Sequence, residues 1–262
     1  MDVRAVFIDM DGTLLTTSNE ISQRNKEAIH ALINQGIKVF LATGRQYEIT
    51  APYHKALGLM TPMICLNGAS IHDGRTGKAI QKKTILLDDE YFHQLTGDDP
   101  CNVIVHTATG LYCKRTSIEI DEWTREGNIP PSYIGDLRLA NYRDVLKYSI
   151  RTGTSSTEFA RKFSKHGEVI DWNDGFEILA NGVSKWSAIR TLLRAYSIPT
   201  TEVVTIGDGP NDIQMLSNAG TGVAMSNAGS LVKEAADFVT GHHEHDGLAE
   251  FIERYLISSY AV

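Results

Sequence analysis

The chain is poor in the features that would place it in a specialised protein class. Its 262 residues include only 3 cysteines, Cys65, Cys101 and Cys113, in no paired spacing. That argues against a disulfide framework and a cysteine-based zinc site, and fits buried thiols in a reducing compartment. Basic charge is also scarce, because 25 Lys plus Arg stand against 32 Asp plus Glu, a formal net charge of -7. Such a balance gives little long-range attraction to nucleic acid or anionic lipid, so neither is expected as a partner. No apolar run approaches the roughly 18 residues of a membrane span. The opening Met1-Asp2-Val3-Arg4 runs at once into a short apolar stretch and does not read as a signal peptide. The expected address is the cytoplasm. No tandem repeat or low-complexity tract is visible. What remains is an ordinary globular balance, 42% hydrophobic and 22% charged, long enough for one large domain or two modest ones.

Apolar patterning divides the chain into three parts. In the first, Ala5 to Met10, Lys38 to Ala42 and Met63 to Asn67 read as buried strands. Helices at Ser22 to Gln35, capped by Ser22, and Tyr47 to Leu57 lie between them. Strand–helix alternation of this length implies parallel pairing. After Lys83 the strands turn more polar. A helix is expected over Asp88 to Leu95, then a hairpin of Asn102 to Thr107 with Gly110 to Lys114, and a helix over Glu119 to Arg125. Further expected elements are a strand over Val145 to Arg151, a helix over Ser155 to Lys165 capped by Thr154 or Ser155, and strands at Glu168 to Asp171 and Phe176 to Leu179. This middle part fits an open, mainly antiparallel sheet covered by helices. From Lys185 the alternation of strands and longer helices returns. The fold expected is α/β, with a parallel sheet built from residues 1–83 and 182–262 and an α+β domain inserted at residues 84–181.

The chemistry-bearing residues gather where expected strands end, which is where open parallel sheets bind ligands. Asp9-Met10-Asp11-Gly12-Thr13 follows the first strand. Extended chain would put the two carboxylates on one side, where they repel unless a cation or proton intervenes. Gly207-Asp208-Gly209-Pro210-Asn211-Asp212 follows a later strand and opens a helix. Together these acids make an oxygen-rich site suited to a hard cation such as Mg²⁺. Thr43-Gly44-Arg45 offers a hydroxyl and a closely approachable backbone N–H for a phosphate oxygen. Lys185 starts a helix, where its charge opposes the helix dipole, so an anion or carboxylate is expected beside it. A Gly-Asp turn or a helix cap would explain each segment singly, but their combination describes phosphoryl chemistry. The glycine fingerprints of dinucleotide folds and P-loops, and the nucleophile elbow of serine hydrolases, are absent. His242, His243 and His245 read as an exposed loop as readily as a metal cluster.

On these motifs, in this order, the sequence resembles the haloacid dehalogenase superfamily, specifically Cof-type phosphatases with an inserted C2B cap. Asp9 to Thr13, Thr43 to Arg45, Lys185 and Gly207 to Asp212 match its four motifs, and Asn67-Gly68-Ala69 resembles a further family segment. The resemblance implies an aspartyl phosphate on Asp9 and acid–base work by Asp11. It implies Mg²⁺ held by Asp9, the Asp11 carbonyl and Asp208, and phosphate held by Met10, Thr43, Gly44, Lys185 and Asn211. Asp212 would orient Lys185 or reach the metal through water, Thr13 would support the nucleophile loop, and Arg45 would face the cap. Trp186 departs from the glycine common in relatives at that place. The expected substrate is a small phosphorylated metabolite, a sugar phosphate or similar. Phosphomutase and non-catalytic phosphate-binding readings stand as alternatives, and a monomer or weak homo-oligomer suffices. Tyr112, Lys114, Arg151, Trp172 and Asn173 are the cap candidates for meeting substrate, although such residues more often serve sheet packing or a solvated surface. Arg161, Lys162 and Lys165 read as an ordinary charged face.

Overall fold

The computed structural model describes residues 2–97, 101–153 and 157–257. The chain opens with β1 (Ala5–Ile8), α1 (Gln23–Asn34), β2 (Lys38–Leu41), α2 (Tyr47–Ala56) and β3 (Met63–Cys65), followed by β4 (Ser70–His72) and β5 (Ala79–Lys82). The middle part holds α3 (Asp89–Gly97), β6 (Asn102–Thr107), β7 (Leu111–Cys113), α4 (Ile118–Gly127), β8 (Tyr133–Ile134) and β9 (Val145–Arg151). It ends with α5 (Thr157–Arg161), β10 (Glu168–Trp172) and β11 (Gly175–Leu179). The last part is α6 (Lys185–Tyr196), β12 (Val203–Gly207), α7 (Ile213–Asn218), β13 (Thr221–Ala224), α8 (Ser230–Glu234), β14 (Phe238–Val239) and α9 (Gly247–Phe251).

The core is a five-stranded parallel sheet in the order β14-β13-β12-β1-β2. Its strands are apolar on both faces, as a sheet covered on both sides requires. Val6, Ile8, Val39, Leu41, Val204 and Ile206 pack on one side with Ala28, Ile29 and Leu32 of α1 and Leu248 and Phe251 of α9. Ala5, Phe7, Phe40 and Val203 point the other way, onto Ala188, Ile189, Leu192 and Leu193 of α6. Trp186 joins this second cluster, so the departure from the family's glycine is accommodated by packing.

The second sheet has six strands in the order β10-β11-β9-β6-β7-β8, antiparallel apart from the β7–β8 pair. Its strands all lie between Asn102 and Leu179. One face is apolar: Val103, Val105, Tyr148, Ile150, Phe176 and Ile178 pack with Phe159 and Phe163. The alternate residues Lys147, Ser149 and Glu177 are polar, yet they are buried as well.

Several boundaries differ from the sequence reading. β1 ends at Ile8, because Met10–Leu14 close a helical turn in which Gly12 has φ +69. β3 is not a full partner in the parallel sheet. It touches β2 through the single Ala42–Ile64 bridge and pairs antiparallel with β4 and β5, a short hairpin that the apolar pattern did not reveal. β8, only two residues long, was also not expected. The helix expected over Ser155 to Lys165 is confined to Thr157–Arg161, and its proposed caps Thr154 and Ser155 lie outside the described residues. Among the described residues no helix is long and apolar enough to cross a membrane.

Candidate active site

Register builds the site. Ile8 pairs with Leu41 on one side and Ile206 on the other, so the residues that follow each strand emerge together at one edge. Those residues are Asp9, Thr43-Gly44 and Gly207-Asp208. Two glycines let the loops meet. A Cβ on Gly12 would lie 2.3 Å from Asp208 Oδ2, and one on Gly207 would lie 2.4 Å from Asp212 Cγ. No larger residue fits either place without moving a carboxylate.

At the floor sits Lys185, fully buried. Ser184 caps its helix by accepting from the Ser187 N–H, which sets the first turn. Lys185 Nζ lies 2.6 Å from Asp9 Oδ1 and 2.7 Å from Asp212 Oδ1. Burial works against the ammonium, but Asp212 and Asp9 hold its pKa above the ordinary lysine value. Asp212 Oδ2 accepts from the N–H groups of Asp208 and Gly209, at 3.0 and 2.9 Å. Asp208 accepts from Thr13 Oγ1 at 3.0 Å and from Asn227 Nδ2 at 3.2 Å. Asp9, Asp208 and Asp212 each place a carboxylate oxygen within 4.8 Å of the others. Burial, reinforced by Asp212, raises the Asp9 pKa well above the carboxylate range and pushes Asp208 up to about 6. Such a set gains from a hard cation that replaces the missing countercharge.

Asp11 does not run alongside Asp9, because the chain turns there. Its side chain is 57% exposed and meets Arg45, whose Nη2 lies 2.6 Å from Oδ1. Arg45 also contacts Glu126 of α4 at 2.5 Å and Asn19 at 2.6 Å, so it joins the core to the cap. Thr43 is buried, with its hydroxyl accepting from the Arg45 N–H at 3.1 Å. The Met10 side chain is in the core. Asn211 Nδ2 donates to Asn67 Oδ1 at 2.9 Å.

These groups open into a cavity of about 430 Å³ between the two sheets, lined by Asp9, Asp11, Gly44, Arg45, Asp208 and Asn211 from the core. Of the five expected cap residues, Arg151 and Trp172 line it. Asn173 lines a neighbouring cavity, Tyr112 packs on Tyr142 within the cap, and Lys114 lines neither cavity. Glu119, Trp123, Lys147, Asp174 and Glu177 also line the first cavity, and sequence reasoning missed them. The signal available for Lys147 and Glu177 was a polar residue at alternate positions, Lys147 between Leu146 and Tyr148 and Glu177 between Phe176 and Ile178. The histidine loop forms no metal group. Among the described residues the one cluster of potential ligands is the aspartate trio, and His243 Nδ1 instead contacts the Leu15 carbonyl at 2.8 Å. Arg161, Lys162 and Lys165 are exposed.

The sequence profile described as haloacid dehalogenase-like hydrolase matches residues 6–252. The chain belongs to that family, as an enzyme of its Cof-type phosphatase branch. It is 28% identical over 270 residues to the Bacillus subtilis 5-amino-6-(5-phospho-D-ribitylamino)uracil phosphatase YitU, covering 95% of this chain and 96% of that protein. It is 29% identical over 280 residues to the Escherichia coli pyridoxal phosphate phosphatase YbhA, covering 98% and 100%. A solved subclass IIB sugar phosphatase of the superfamily shares the fold, with a TM-score of 0.84, 24% identity, and coverage of 97% and 100%.

Proposed function

We propose that this protein hydrolyses the phosphate monoester of a small metabolite with the help of Mg²⁺. The observation that carries the reading is Lys185 bridging Asp9 and Asp212, with Asp9 and Asp208 lining the cavity. An Asp9 carboxylate oxygen forms a bond to phosphorus as the bond from phosphorus to the leaving oxygen breaks. Asp11 protonates that oxygen and later takes a proton from water, which attacks the aspartyl phosphate and frees inorganic phosphate and Asp9. Lys185, Thr43, Gly44, Asn211 and the Met10 backbone hold the phosphoryl oxygens. Asp212 orients Lys185, Thr13 steadies Asp208, and Arg45 positions Asp11 against the cap. Asp9, Asp208 and the Asp11 carbonyl would hold Mg²⁺, which supplies charge neutralisation to the phosphoryl oxygens. Asp9 and Asp208 fit this ion, since with Asp212 they bring oxygen-only donors within 4.8 Å of one another.

Residues 84–181 act as the cap in this reading, and residues 1–83 with 182–262 as the catalytic core. The leaving group occupies the space beside Trp172, Trp123 and Arg151, so these side chains select the metabolite. Three buried free thiols fit a reducing cytoplasmic setting. The test is phosphate release from sugar phosphates, pyridoxal phosphate, a ribitylaminouracil phosphate and an aryl phosphate, with Mg²⁺ and with chelator. Release that requires Mg²⁺ is expected. Release indifferent to chelator, or silence from folded protein across the panel, would overturn the proposal.

A further inference from the structure

An ion pair is buried where the cap sheet meets the core. Lys147 Nζ lies 2.6 Å from Glu177 Oε1, with side chains 3% and 5% exposed. Burying such a pair costs about as much as its attraction returns, so stability alone does not account for it. Ser149 Oγ donates to Glu177 Oε1 at 3.1 Å within the cap sheet, and the other bonds of the pair lead to the proposed phosphate site. Lys147 Nζ donates to the Gly44 carbonyl at 3.0 Å. Glu177 Oε2 accepts from Asn67 Nδ2 at 2.7 Å, and Asn67 Oδ1 accepts from Asn211 Nδ2 at 2.9 Å.

The direction of this chain is set from the cap end. Burial alone would raise the Glu177 pKa, but Lys147 and Arg151 hold it below the usual carboxylate value. Glu177 is therefore ionised and can only accept. Asn67 must turn its NH₂ group to Glu177 and its oxygen to Asn211. Asn211 must answer with its own NH₂, which keeps one further N–H for a ligand and leaves Asn211 Oδ1 buried without a partner. Asn67 has little room to adjust. Leu66, Asn67 and Gly68 have φ of 49, 54 and 98, a run of left-handed residues that only the surrounding bonds sustain. The Leu66 N–H donates to the Arg45 carbonyl and the Asn67 N–H to the Thr43 carbonyl, both at 2.9 Å. A Cβ on Gly68 would lie 2.3 Å from the Ser184 carbonyl oxygen, so the loop is pressed onto the helix start that carries Lys185.

We infer that Glu177 is a positioning residue: by fixing Asn67 and then Asn211, it makes the donor offered to phosphate depend on a seated cap. The inference deepens the phosphatase reading and rests on it, since that reading gives Asn211 to phosphate. In Glu177→Gln, Lys147 claims the amide oxygen, the new NH₂ faces that of Asn67, and the order of donors reverses along the chain.

The experiment is calorimetric binding of inorganic phosphate, with Mg²⁺ present, to the wild type, Glu177→Gln, Asn67→Gly and the double variant. Glycine suits the left-handed backbone at position 67. Each single variant is expected to bind phosphate about tenfold more weakly, and the double variant no more than about threefold beyond the weaker single. KM is expected to rise by a common factor for every substrate, with kcat less affected and the ranking of substrates unchanged. If Glu177→Gln does not fold, Lys147→Met with Glu177→Leu removes both buried charges and is expected to show the same weakening. Unchanged phosphate affinity, or losses that multiply independently in the double variant, would overturn the relay while leaving the phosphatase reading intact. A wild type that fails to bind phosphate would overturn both.

Discussion

The two sheets solve the same packing problem differently. The parallel sheet is apolar on both faces, and its chemistry lies in the loops and the helix start gathered at one edge. The antiparallel sheet is apolar on one face only. Its other face buries Lys147, Ser149 and Glu177 against the core. The first arrangement puts reacting groups on short loops whose positions are fixed by strand register. The second puts groups on the strands themselves, where they move only as the whole cap moves. The difference assigns bond-making to the core and selection to the cap side chains that line the cavity, with Glu177 the cap group that reaches the common phosphate site, a division that substitutions on either side can break.

The largest effect is expected in the core. Asp9→Asn should lower turnover at least about a thousandfold for every substrate, with the protein still folded, as phosphate release and circular dichroism will show. Next is Lys185→Met, which leaves Asp9 and Asp212 buried without their cation. A loss of about 3–5 kcal/mol in urea unfolding is expected, with activity lost as well. On the cap side, Trp172→Ala should raise KM about tenfold for some substrates and little for others, with kcat for a small aryl phosphate nearly kept. A uniform loss across the panel would erase the division between core and cap.

A smaller effect concerns pH. His106 is fully buried in the cap sheet, and burial, with Lys147 and Arg151 nearby, lowers its pKa well below 6.5. It stays neutral in the fold while the unfolded chain gains a proton, so its contribution is present above about pH 6.5 and lost as pH falls. Wild type should lose about 1.4 kcal/mol more than His106→Leu between pH 7.5 and 5.5, measured by urea unfolding. Equal losses would show that His106 titrates in the folded protein.

The same contrast governs what the sequence made legible. Asp9, Lys185 and Asp208 were readable because charged residues break abruptly into apolar runs at strand ends or helix starts. Lys185 was flagged by its poor place on the helix dipole, and the two buried carboxylates beside it account for that place. Asp11 was readable as a residue but not in its geometry. Two-residue spacing implies a shared side only in extended chain, and the chain turns after Ile8. Glu177, Lys147 and Ser149 alternate with apolar residues, the pattern of a sheet with one face in water, and nothing local reveals that a second domain covers that face. Asn67 stood out only through its resemblance to a family segment, since its value lies in partners 110 and 144 residues away in sequence. The β4–β5 hairpin was missed because β5 is largely exposed and carries no apolar period.

The most direct measurement is a rapid acid quench of the protein turning over an aryl phosphate with Mg²⁺, followed by mass analysis of its peptides. A phosphoryl group on the peptide that contains Asp9, absent when the protein is quenched without substrate, is the predicted result. Full turnover with no phosphoryl group on that peptide, together with an Asp9→Asn variant that keeps its activity, would contradict the account.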